Sequence, residues 1–211
     1  MSSDEHPADD APDPTDESTP AGPPRRVALL TVAAGVVLAL DIVTKVFVVA
    51  NLEGQPPVRL AGGALYLDVI RNPGAAFSLA TGMTWLLTLI AIGVVAAIVR
   101  MAGRLRSVGW ALGLGLVLGG ALGNLVDRLL RAPGPMSGHV VDFISVFAPY
   151  GEVYPVFNVA DSAIVTGGVL LVLMGLLNKD YDGSSAGNRH RSPHLRHGEK
   201  PASVPRSGID T

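Results

Sequence analysis

Two short stretches carry the residues most able to do chemistry: Val140-Val141-Asp142-Phe143 and Phe157-Asn158-Val159-Ala160-Asp161-Ser162. Each sets one carboxylate among apolar side chains, and the second reads as part of a membrane-crossing segment. An ionisable group in that setting is costly and marks a functional site by default. Two carboxylates facing each other closely cannot both ionise easily, so one keeps a proton and the other does not. The ionised member can take a proton from water while the neutral member donates to a carbonyl oxygen, as in aspartic proteases. Low dielectric would spread the two apparent pKa values, which belong to the pair rather than to either residue. Other hydrolytic chemistries find few candidates. The chain has no Cys, which removes thiolate catalysis, Cys-based metal sites and disulfides. His139 is the only His away from the two ends, and there is no His-Glu-x-x-His run, so zinc-dependent proteolysis is not indicated. His190, His194 and His197 read as part of a basic tail rather than as a metal site. No metal and no cofactor is expected.

The elements that must position the two carboxylates are apolar helices. Of 211 residues, 48% are hydrophobic and 16% charged, against roughly 25% charged in an average soluble domain. With a mean hydropathy of +0.39, this indicates a membrane protein. Four blocks are long enough to cross a ~30 Å hydrocarbon core: Val27 to Ala50, Met83 to Val99, Ser107 to Leu130, and Pro155 to Leu177. Three of them carry polar residues at i, i+3, i+4 spacing, which shares one helix face: Asp41, Thr44 and Lys45; Asn124, Asp127 and Arg128; Asn158, Asp161 and Ser162. Asp41–Lys45 and Asp127–Arg128 read as structural pairs or as parts of the site. Gly115, Gly119 and Gly123 form a small-residue stripe suited to close helix packing.

Between the spans, Val58-Arg59-Leu60 and residues 64–70 read as short strands, a possible hairpin. Arg71-Asn72-Pro73-Gly74 and the small residues after it read as a turn. Residues 131–154 read as an interfacial loop, its apolar run 140–147 being too short to span. Asp142 on such a loop would be the mobile member of the pair and Asp161 on a helix the fixed one, so closure over a substrate would complete the site. Residues 1–24 hold seven acidic residues and no Lys or Arg. They read as a disordered Pro-rich tail, residues 25–178 as the four-span domain, and residues 179–211 as a disordered basic tail. Nothing in the pattern suggests nucleic-acid binding.

Arg25-Arg26, then Arg100, Arg104 and Arg106, then Lys179 and the basic tail all fall on one side. The positive-inside rule puts that side, with both termini, in the cytoplasm. At 1.5 Å per helical residue, Asp41 lies roughly 14 Å, Asp127 about 5 Å and Asp161 about 9 Å from the outer ends of their spans. All the intramembrane ionisable groups therefore converge on the outer half. A proton- or cation-coupled transporter, the main alternative, would spread such groups across the bilayer. A scaffold held together by the Gly stripe would leave Asp142 and the outer Asn residues without a use.

Five blocks resemble, in order and in their four-span layout, the signature of the lipoprotein signal peptidase (signal peptidase II) family. They are Leu40-Asp41-Ile42-Val43-Thr44-Lys45, Arg71-Asn72-Pro73-Gly74-Ala75-Ala76-Phe77, residues 119–128, Val140-Val141-Asp142-Phe143, and Phe157-Asn158-Val159-Ala160-Asp161. The resemblance covers about residues 27–177. It implies a four-helix membrane bundle with a small extracytoplasmic β-cradle over residues 58–70 and an amphipathic cap over 143–154. It also implies an intramembrane aspartic endopeptidase of the bacterial cell membrane, which cuts diacylglyceryl-modified prolipoproteins N-terminal to the lipidated Cys. Asp142 and Asp161 match the family's catalytic dyad. Asn72, Asn124, Asp127, Arg128 and Asn158 match site-lining positions, and Asp41 and Lys45 match supporting ones. The expected partners are lipid-modified prolipoproteins and membrane lipid, with the chain acting as a monomer. An extended substrate is expected to pair with an exposed strand edge.

Overall fold

A computed structural model describes residues 24–74 and 84–182. Both expected tails therefore lie outside it except for a few residues, as do His190, His194, His197 and the small residues after Gly74. Among the described residues, four helices are long and apolar enough to cross a membrane: α1 (Val27–Leu52), α2 (Thr84–Ala102), α3 (Val108–Leu130) and α4 (Val159–Leu176). Helix α3 packs against each of the other three. The Gly stripe explains how closely it does so. A Cβ at Gly119 would strike the Ala34 carbonyl and Val37 of α1, and one at Gly123 would strike the Asp41 carboxylate. On the face toward α4, Gly120 lies against the Ala160 carbonyl. Small residues thus bring two backbones within reach of one buried layer of polar side chains.

A three-stranded antiparallel sheet in the order β1-β2-β3 covers one end of the bundle: β1 (Val58–Leu60), β2 (Leu65–Asn72) and β3 (Val140–Val146). Two expectations are corrected here. Arg71 and Asn72 end a strand rather than opening a turn. Residues 140–146 are a third strand rather than an interfacial loop or part of an amphipathic cap; only Pro149–Gly151 forms a short helical turn beyond it. The apolar run 140–147 is too short to span but long enough to pair, with one side against the bundle: Val141 and Phe143 pack on Val48 of α1.

The register between β2 and β3 decides which side chains meet. Leu67 pairs with Ile144, but Ile70 pairs with Asp142 and Asn72 with Val140, so a bulge at Asp68-Val69 adds one residue to β2. A one-residue slip exchanges the faces of a strand. Without the bulge Arg71 would share the face of Asp142; with it, Asn72 does.

Candidate active site

Helix α4 starts at Asn158, and its first turn is built by a reciprocal cap. The Asn158 side chain accepts from the Asp161 N–H at 2.9 Å, and Asp161 Oδ2 accepts from the Asn158 N–H at 3.2 Å. Asn-x-x-Asp is a variant of the capping box. Asp161 is therefore in the first turn, about 3 Å along the helix axis from its start, rather than deep in a span beginning at Pro155. A helix N-terminus favours negative charge.

Asp142 reaches the same spot from β3. It is 3% exposed. Its Oδ1 accepts from Asn158 Nδ2 and its Oδ2 from Asn72 Nδ2, each at 2.7 Å. Asn72 is held in turn by the Gly74 N–H, which donates to its side-chain oxygen. Asp161 Oδ1 accepts from Asn124 Nδ2 at 2.7 Å, and Asn158 Nδ2 also lies 3.2 Å from Asn124 Oδ1. Three Asn side chains from β2, α3 and the cap of α4 thus bind the two carboxylates into one network. Neither carboxylate forms an ion pair among the described residues. Burial, and then the Asp161 charge, push the Asp142 carboxyl up to about 7, while the Asn72 and Asn158 amides and Lys45 pull it back.

Both carboxylates open onto a cavity of about 850 Å³, which Arg128, Leu87, Asn72 and the segment from Tyr150 to Phe157 also line. That volume falls in the range of small-molecule and peptide sites. Asp142 is not carried on a free loop. Its strand is paired with β2 along its length, and on its other edge Phe143 and Ile144 donate to the Phe157 carbonyl. The edge of β3 is thus partly occupied. β1 pairs only with residues 65–67 of β2, so among the described residues the part of β2 opposite Asp142 has no strand on its other side.

The remaining expected residues form a second layer. Lys45 Nζ lies 2.7 Å from Asp41 Oδ2, 2.9 Å from Asp127 Oδ2 and 3.1 Å from Asn124 Oδ1, and all four groups are buried. Asp41 Oδ1 accepts from the Ala160 N–H, and Asp127 Oδ2 from the Val141 N–H. Each of these donors directly precedes one member of the carboxylate pair. One ammonium therefore ties together the two carboxylates that hold the backbone beside Asp161 and Asp142. Asp127 does not pair with Arg128. Its second partner is Arg131, whose Nε meets Asp127 Oδ1, and Arg128 instead donates to the Asn124 carbonyl. Neighbouring residues on a helix do not face each other, whereas i, i+4 residues do, so the helical spacing of Asp127 and Arg131 is the signal for this pair. Asp127 thus faces the layer beneath the cavity.

Residues 33–177 match the family described as signal peptidase (SPase) II. A lipoprotein signal peptidase of Rhodococcus jostii is 58% identical over 177 residues, covering 82% of this chain and 87% of that protein. One from Mycobacterium avium is 51% identical over 185 residues, covering 87% and 98%. A bacterial membrane enzyme solved by the in meso method is similar with a TM-score of 0.62 and 28% identity, covering 74% of this chain and 92% of that one.

Proposed function

The chain belongs to the signal peptidase II family, and on that premise we propose that it is an intramembrane aspartic endopeptidase with Asp142 and Asp161 as its dyad. The observation that carries this reading is the pair of carboxylates opening onto one cavity, held among the described residues by amide donors alone. Asp161, at the positive end of α4, is the ionised member and takes a proton from the attacking water. Asp142, whose carboxyl is pushed up to about 7, keeps its proton and gives it to the scissile carbonyl oxygen as the water oxygen bonds to the carbon. Collapse of the tetrahedral intermediate breaks the C–N bond. The released amine takes the proton gained by Asp161, and Asp142 recovers its own from the hydroxyl. Asn72 and Asn158 orient Asp142, Asn124 orients Asp161, and Arg128 on the cavity wall offers its guanidinium to the bound substrate.

The substrate is a lipid-modified prolipoprotein, cut N-terminal to the lipidated Cys. The sheet end of the bundle faces the outer leaflet, and both termini are cytoplasmic, as the distribution of Arg and Lys indicates. A diacylglyceryl-anchored segment then arrives at the depth of the dyad. The test is cleavage of a lipidated prolipoprotein by purified protein in detergent. Asp142→Asn and Asp161→Asn should each abolish turnover while the protein still inserts and keeps its thermal unfolding profile; appreciable turnover in either would remove that residue from the dyad.

A further inference from the structure

Asp68 lies in the bulge of β2, is 4% exposed, and has no place in the network around the dyad. Its Oδ2 accepts from the Tyr150 N–H, and its Oδ1 has no hydrogen-bond partner among the described residues. A buried carboxylate with one donor and no ion pair is costly, which shows in the upward shift that burial imposes on it, only partly offset by Tyr150. The donor is unusual as well. Tyr150 has φ 56 and Gly151 φ 75, a left-handed conformation that disfavours a residue with a Cβ. That twist turns the Tyr150 N–H onto Asp68. The Gly151 N–H follows, donating to Ser145 Oγ, which itself donates to the Ala148 carbonyl. Residues 147–157 are tied to the sheet at their ends by backbone bonds, Phe147 N–H to the Ala64 carbonyl and Phe157 with Ile144, and in the middle by these two buried side chains; Tyr150, Gly151, Val153, Tyr154 and Phe157 of this strap form one wall of the dyad cavity.

We infer that Asp68 is a positioning residue for substrate: it holds the 147–157 strap against the sheet so that the strap closes one side of the cavity over the bound peptide. This rests on the reading of the cavity as the hydrolytic site. Asp68 touches neither carboxylate, so its loss should loosen binding and spare the chemical step.

In the full-length protein, Asp68→Ala should raise KM for a lipidated prolipoprotein by roughly three- to tenfold with kcat nearly unchanged. Asp68→Asn, which keeps an acceptor for Tyr150, should stay near the parent KM. An unchanged KM in Asp68→Ala, or a fall in kcat alone, would overturn the inference. Hydrogen exchange needs no variant: the Tyr150 amide should exchange slowly in the unsubstituted protein, and fast exchange there would also overturn it. If Asp142→Asn retained turnover, the dyad reading would fail on its own, separately from either result.

Discussion

Asp41 and Asp127 share one buried ammonium, that of Lys45, at 2.7 and 2.9 Å. Asp142 and Asp161, each one residue along from a backbone N–H that those carboxylates hold, receive only amide donors among the described residues. Four carboxylates lie in one layer, yet two are paired with cations, Lys45 for both and Arg131 for Asp127 as well, and two have no ion pair among the described residues. A fully paired buried ion cluster is rigid because removing any member strands a charge. Amides donate hydrogen bonds without cancelling charge, so burial still pushes Asp142 up into the range where protons move at neutral pH. The first pair works as a frame because it is closed on itself. The second is suited to chemistry because it is not, and it alone opens onto the cavity.

The contrast is most severely tested at Lys45. Lys45→Met leaves Asp41 and Asp127 buried together without their shared cation, and should cost about 3–5 kcal/mol. Thermal unfolding in detergent should show it as a large fall in Tm, with turnover lost because the backbone beside both Asp142 and Asp161 is released. Unaltered stability would mean that the frame does not depend on its ammonium.

A smaller effect sharpens the other half of the comparison. The Asn72 amide favours the ionised form of Asp142, so Asn72→Ala should raise that carboxyl further. If Asp142 is the acid, activity falls as pH rises through about 7, and the substitution moves this limb to higher pH while also lowering kcat. A limb displaced toward acid, or unmoved, would contradict the assignment of the proton to Asp142. The smallest effect belongs to Glu53, which pairs with Arg71 at 2.7 Å on the exposed side of the sheet. Glu53→Gln should change stability by less than about 1 kcal/mol and leave turnover intact. A large loss in the same unfolding and cleavage assays would show that the frame extends beyond the buried layer.

Much of this could be read along the chain, and the misses share a cause. The four spans, the Gly stripe, the Asp41–Lys45 pair and the shared helix faces of Asn124 and Asn158 follow from helical period and from the cost of charge among apolar residues, whereas the place of Asn72 beside the carboxylates came from the family resemblance alone. Apart from Arg131, four residues from Asp127 on one helix, what went astray was any residue whose partner lies on another strand. The run 140–146 alternates too weakly to declare itself a strand, since residues on both of its faces are largely buried. Asn72 read as part of a turn because the bulge that swings it to Asp142 is a property of β2 paired with β3, not of β2 alone.

By itself the sequence determined that ionisable groups would gather toward one end of a four-span bundle, because local spacing and hydropathy are sufficient for that. Tertiary structure decided which of those groups would be neutralised. Lys45 stands on the same helix face as Asp41, and helical spacing is enough to pair them. Only the packing of α3 on α1, at glycine distance, brings Asp127 to the same ammonium, and only the capped start of α4 and the bulged sheet keep Asp161 and Asp142 beside neutral amides. The physical reason is range: helical period fixes neighbours within a turn or two, while the charge state of a buried carboxylate depends on groups that arrive from three other segments.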